Sequence, residues 1–114
     1  MEIRLVKEPI PLAEITAMAQ EQFGEMVKAT VDVEQGIMAL GGELHSDEEA
    51  LLLEQGSKQG NLWGINIYPA KPADERVEFD SMINVRPSQN NLSRGVEDPA
   101  TRDRILRVVS KLLR

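Results

Sequence analysis

The sequence predicts an α+β fold, a two-layer sandwich with a mixed sheet of about five strands and three helices. Three observations carry that expectation. Stretches of period-two alternation and of helical spacing follow one another in the order β-α-β-β-α-β-β-α. The first six elements match the split βαβ, ferredoxin-like order. The chain has 114 residues, 41% of them hydrophobic. That suits a single domain, residues 1–114, with one core and no staples.

Ile3-Arg4-Leu5-Val6 reads as the first strand, and Pro9 and Pro11 end it. Leu12, Ile15, Met18, Ala19 and Phe23 then recur at helical spacing as a core-facing stripe, which Gly24 stops. Val27, Ala29, Val31 and Val33 alternate with Lys28, Thr30 and Asp32, the pattern of a strand with one wet face. Glu34-Gln35-Gly36 makes a hairpin loop. The continuously apolar return strand, Ile37-Met38-Ala39-Leu40, reads as central and covered on both sides.

Gly41-Gly42 is the only adjacent glycine pair and leads from that strand to the next helix. The turn calls for positive φ, or a close backbone approach, at the two glycines. Ser46 and Glu49 have the spacing of a capping box. The helix runs through Leu51-Leu52-Leu53 to Gly56. Asp47, Glu48 and Glu49 complement the helix dipole, so a phosphate would meet repulsion there. In the fourth strand, Leu62 to Tyr68, residues Trp63, Ile65 and Ile67 share one face. The fifth is expected from Val77 to Arg86. A polar loop, Pro87 to Asp98, follows, long enough to suggest a role of its own. Asp98 and Pro99 start the last helix, whose buried stripe is Ile105, Val108, Val109 and Leu112. Arg104, Arg107, Lys111 and Arg114 form a separate basic stripe, suited to a solvated face near the helix C-terminus. With all helices on one sheet face, the other would expose Lys28, Thr30, Asp32, Asn66, Asp80, Asn84 and Arg86.

Net charge is −6, spread unevenly. Residues 1–60 hold 4 basic and 12 acidic side chains (−8), residues 61–114 hold 9 and 7 (+2). An acidic chain disfavours non-specific nucleic-acid binding, which needs several phosphate contacts. Surfaces of opposite sign favour a homo-oligomer, in the first place a dimer. No segment approaches a membrane span and no apolar leader is apparent, so the expected setting is the cytoplasm. There are no cysteines, which removes disulfides and thiolate chemistry.

Two constellations could carry chemistry. Glu43 and His45 lie two apart, and with Asp80 they could form an acid–base set. The competing reading is a histidine and a glutamate that fix the turn by hydrogen bonds. One histidine is poor metal-ligand stock. HExxH, GxSxG and Walker patterns are absent, so neither a metal nor a cofactor is expected. The second constellation is Arg86 with Ser88, Asn91, Ser93 and Arg94: two guanidiniums with short donors between them, suited to a small anionic ligand. Its bland counterpart is a loop capped by its own Asn and Ser turns.

The strings Gly41-Gly42-Glu43-Leu44-His45, Leu51-Leu52-Leu53-Glu54-Gln55-Gly56-Ser57, Leu62-Trp63-Gly64-Ile65-Asn66 and Phe79-Asp80-Ser81-Met82-Ile83-Asn84-Val85-Arg86-Pro87 are distinctive. In them the chain resembles an uncharacterised family of small bacterial proteins, known only as a domain of unknown function. The resemblance implies a bacterial cytoplasmic protein and supplies no activity, cofactor or catalytic residue. The leading expectation is therefore a non-enzymatic binding or interaction module with an anion or polar-ligand site. The alternative is a small hydrolase or transferase using Glu43, His45 and Asp80. An enzyme would hold His45 in a concave site with a shifted pKa. A module would hold it in the turn by hydrogen bonds.

Overall fold

The computed structural model describes residues 2–114. Its elements are β1 (Arg4–Val6), α1 (Leu12–Glu21), β2 (Val27–Asp32), β3 (Ile37–Leu40), α2 (His45–Glu54), β4 (Leu62–Ile67), β5 (Val77–Glu78) and α3 (Pro99–Leu112). The fold is α+β, in the expected element order. The five strands form one sheet in the order β1-β3-β2-β4-β5, and every pairing is antiparallel, so the sheet is not mixed.

The strand order decides where the helices lie. A ferredoxin-like sheet would seat β4 beside β1; here β4 sits beside β2. The crossovers β1-α1-β2 and β3-α2-β4 each step two places across the sheet in the same direction, but they start from antiparallel strands. Right-handed crossovers of that kind put their helices on opposite faces. Accordingly, Ile15 and Ala19 of α1 and Ile105, Val108, Val109 and Leu112 of α3 share one core with Val27, Ala29, Val31, Met38, Leu40, Trp63, Ile65 and Ile67. Leu52 of α2 packs on the other face with Ile37, Ala39 and Leu62. The sandwich has three layers, and β3 is covered on both sides as its apolar run predicts.

The sheet face expected to be open is therefore closed. Thr30, Asp32 and Asn66 are buried beneath α2 and the segment after β5, and Asn84 and Arg86, which belong to that segment, are buried against β4. Asp32 Oδ1 accepts the amides of Glu34 and Gln35 at 2.9 and 3.0 Å, and Oδ2 accepts Ser57 Oγ–H at 2.6 Å. It thus fixes the hairpin loop and ties it to the end of α2.

Three local expectations change. The fifth strand stops at Glu78. Ser81 Oγ accepts the amide of Ile83 and turns the chain into a 3₁₀ turn over Met82–Asn84. The Asn84 carboxamide then bonds Gly64 in both directions, Gly64 N–H to Oδ1 at 2.8 Å and Nδ2–H to Gly64 O at 2.9 Å. A side-chain amide thus replaces the missing strand at the edge of β4. The capping box does not form: α2 starts at His45, with Leu44 as N-cap and no side-chain cap. Phe23 lies beyond the end of α1 and is 43% exposed, with Lys28 Nζ 5.1 Å from its ring centre.

Candidate functional site

The polar layer between α2 and the sheet holds most of the chemistry-bearing residues. α2 buries His45, Glu48 and Leu52, one stripe at helical spacing. Gly41 has φ +89°, and Gly42 lies where a Cβ would meet Glu48 Cγ at 3.0 Å, so one glycine supplies the turn and the other the close approach. Glu48 is fully buried. Its Oε2 accepts Gly42 N–H at 2.9 Å, and its Oε1 lies 3.1 Å from Thr30 Oγ1. Desolvation pushes its carboxyl up to about 9, against the opposing pull of the Gly42 and Thr30 hydrogen bonds. Glu48 is therefore a neutral acid at pH 7. Thr30 Oγ1 is the donor to its Oε1 and also lies 3.4 Å from the His45 carbonyl.

His45 Nε2 lies 2.7 Å from the Ile65 carbonyl of β4, so Nε2–H is the donor. Burial lowers its pKa, the Ile65 bond raises it in part, and Lys28 lowers it further. The ring is neutral and spent on the sheet. Glu43 is exposed, and its carbonyl, not its carboxylate, accepts Lys28 Nζ–H at 2.9 Å. Asp80 accepts from Arg94 Nε at 2.6 Å. Glu43, His45 and Asp80 thus each have a different partner. Among the described residues, no group of three or more His, Asp or Glu side chains is placed to hold a metal ion.

The arginine constellation is also taken up internally. Arg86 is buried, with its guanidinium 4.6 Å from the Trp63 ring centre. Its Nε donates to Ile83 O, one terminal nitrogen to Gln89 Oε1 and the other to Leu62 O, with Glu49 Oε2 at 3.9 Å. Asn91 is buried and donates to the carbonyls of Asn84, Ser93 and Gly95, while its Oδ1 accepts Glu97 N–H. Ser93 Oγ accepts Gly95 N–H, and Ser88 is exposed in the 3₁₀ turn Pro87–Gln89. Arg86 and Arg94 therefore face different partners, Asn91 braces the loop from inside, and Ser93 fastens it at the surface.

Sequence reasoning missed Glu48, which it placed among solvated acids at a helix start. A signal existed: Glu48 shares a stripe with His45 and Leu52. It also missed a concavity of about 520 Å³ between α3 and residues 73–79. Leu106, Val109 and Leu113 line one side; Ala73, Val77 and Phe79 line the other, with Arg76, Asp74 and Ser110 as its polar members. A second hollow of about 450 Å³ is lined by Glu21, Gln22, Phe23, Glu43 and Leu44.

Fold and site define a small α+β protein with a buried polar layer and an apolar groove. The chain belongs to the family described as a protein of unknown function, DUF5674, whose model matches residues 4–112. No curated protein and no solved structure matches it.

Proposed function

We propose that the protein is a non-enzymatic binding module of the cytoplasm that works as a homodimer. The observation that carries the reading is the commitment of the reactive side chains. His45 is bonded to Ile65 O, Asp80 to Arg94, and Arg86 to two carbonyls and Gln89. The groove between α3 and residues 73–79, by contrast, is walled mainly by apolar side chains and, among the described residues, has neither a histidine nor a pair of carboxylates in its lining. Self-association is supported by charge. Phe23 and Leu44 are exposed beside Glu21 and Glu43. Arg107 and Lys111 stand exposed on α3, and Arg114 is exposed just beyond it. Surfaces of opposite sign on one chain suit a self-complementary pair.

Light scattering at low and high salt tests the assembly: a dimer that weakens as salt rises is expected. A monomer at micromolar concentration in both conditions overturns the homodimer. A turnover that vanishes in His45→Ala while the melting temperature stays unchanged overturns the non-enzymatic reading.

A further inference from the structure

We infer that the groove between α3 and residues 73–79 binds a free monocarboxylic acid with an apolar tail, Arg76 holding the carboxylate. The inference rests on the binding-module reading and names the ligand class. The volume, about 520 Å³, lies within the range of small-molecule sites. Leu106 and Val109, at i and i+3, share one stripe of α3, and Leu113, just past the helix end, continues the same wall; Val77 and Phe79 line the groove with them. Leu106 is 41% exposed at its rim. A tail laid along this stripe removes apolar surface from water on both walls.

The polar end is set by Arg76. It is half-buried and spends one terminal nitrogen on Lys71 O at 3.2 Å. Its Nε–H is buried and, among the described residues, has no acceptor. That Nε–H is closed off from the groove, so what Arg76 offers a ligand there is its terminal nitrogens, of which one is spent on a carbonyl. Its planar fork matches a carboxylate better than any neutral acceptor. Ser110 lines the groove as well and offers a hydroxyl. The one opposing charge is Asp74, which is exposed and so screened by water. It weighs against a second carboxylate on the ligand, which is why the class is a monoacid.

Octanoate, octan-1-ol and octylamine, titrated into the full chain and followed by amide resonances, test the proposal. Octanoate should saturate and move amides in 73–79 and 106–113. Arg76→Gln should weaken octanoate about tenfold or more, the loss due to one charge-assisted hydrogen bond, and leave octanol unchanged. Arg76→Lys, which keeps the charge but not the fork, serves the same comparison should Arg76→Gln not fold. Equal binding of octanol and octanoate, or indifference to both substitutions, overturns the carboxylate assignment and leaves the binding-module reading standing. Failure of all three probes to move groove amides overturns the proposal, while the light-scattering and His45 tests decide the broader reading independently.

Discussion

Glu48 carries a pH dependence that follows from its burial. Its folded pKa stands at about 9 against an ordinary 4.5. The folded chain therefore keeps a proton that the unfolded chain releases above pH 4.5. Stability is fully present below 4.5 and declines as pH rises toward 9. At pH 7 the loss from this group is about 3 kcal/mol, from roughly 1.4 kcal/mol per pH unit. His45 acts in the opposite sense: its folded pKa is lowered, so its contribution is present above 6.5 and lost as pH falls. Glu48→Gln keeps the shape and a carboxamide oxygen to accept Gly42 N–H, without an ionisable proton. It should flatten the decline between pH 5 and 8 and gain about 1–3 kcal/mol over the parent at pH 8, read by urea unfolding. An unchanged slope would remove Glu48 as its source. His45→Ala should cost about 1–2 kcal/mol, because the buried hydrogen bond that ties α2 to Ile65 O is lost. His45 was legible in the sequence as a turn-fixing residue. Glu48 was not, because a run of three acids after a glycine turn has the composition of a solvated helix start.

At the scale of elements, β2, α1 and α3 were legible because each repeats at its own period over several turns or pleats, β3 by its continuous apolar run, and α2 by the glycines and leucines that bound and fill it. β5 was overdrawn for a physical reason. Ser81-Met82-Ile83-Asn84-Val85 alternates polar and apolar like a strand. What stops it is side-chain hydrogen bonding by Ser81 and Asn84, which leaves no periodic trace. Gly64 is the counterpart on β4: a Cβ there would stand 2.5 Å from Ser81 Cβ and 3.1 Å from His45 Cδ2. Gly64→Ala should therefore destabilise by about 2–3 kcal/mol, the usual cost of overpacking. Ser81→Gly should restore part of that loss in the double variant, giving a coupling energy above about 0.5 kcal/mol. Strict additivity would mean that the crossing of the two segments at Gly64 is not tight. Asn84→Ala should cost about 3 kcal/mol by thermal unfolding, since Gly64 N–H and the Gly64 carbonyl lose the Asn84 carboxamide, while the Arg94 carbonyl keeps only Ser81 N–H.

Over the whole molecule, the two faces of the sheet are built differently, and sequence periodicity alone does not reveal it. Alternation in β2 separates Val27, Ala29 and Val31 from Lys28, Thr30 and Asp32, but cannot say whether the polar set meets water or a helix. That is fixed by β4 pairing with β2, a long-range choice that local patterns do not encode. The consequence is an uneven core. The α1/α3 face buries a large continuous apolar cluster, with Ile10 and Leu12 tied to the chain end through Leu112 O and Arg114 O at 2.9 and 2.7 Å. The α2 face buries four apolar residues, Ile37, Ala39, Leu52 and Leu62, and relies on hydrogen bonds from Glu48, His45, Asp32 and Asn84 for the rest. Each such bond contributes about 1 kcal/mol net, less than a buried Leu or Ile side chain. The α2 layer should thus be the first cooperative unit to open, short of global unfolding. Native-state hydrogen exchange should show amides at Leu51–Glu54 opening at a free energy lower by about 1–2 kcal/mol than those at Val108 and Val109, roughly a tenfold difference in exchange. The gap should widen at pH 8, where the neutral Glu48 is costlier to keep, and shrink in Glu48→Gln. Equal protection of α2 and α3 at both pH values would show that the polar layer is as strong as the apolar one.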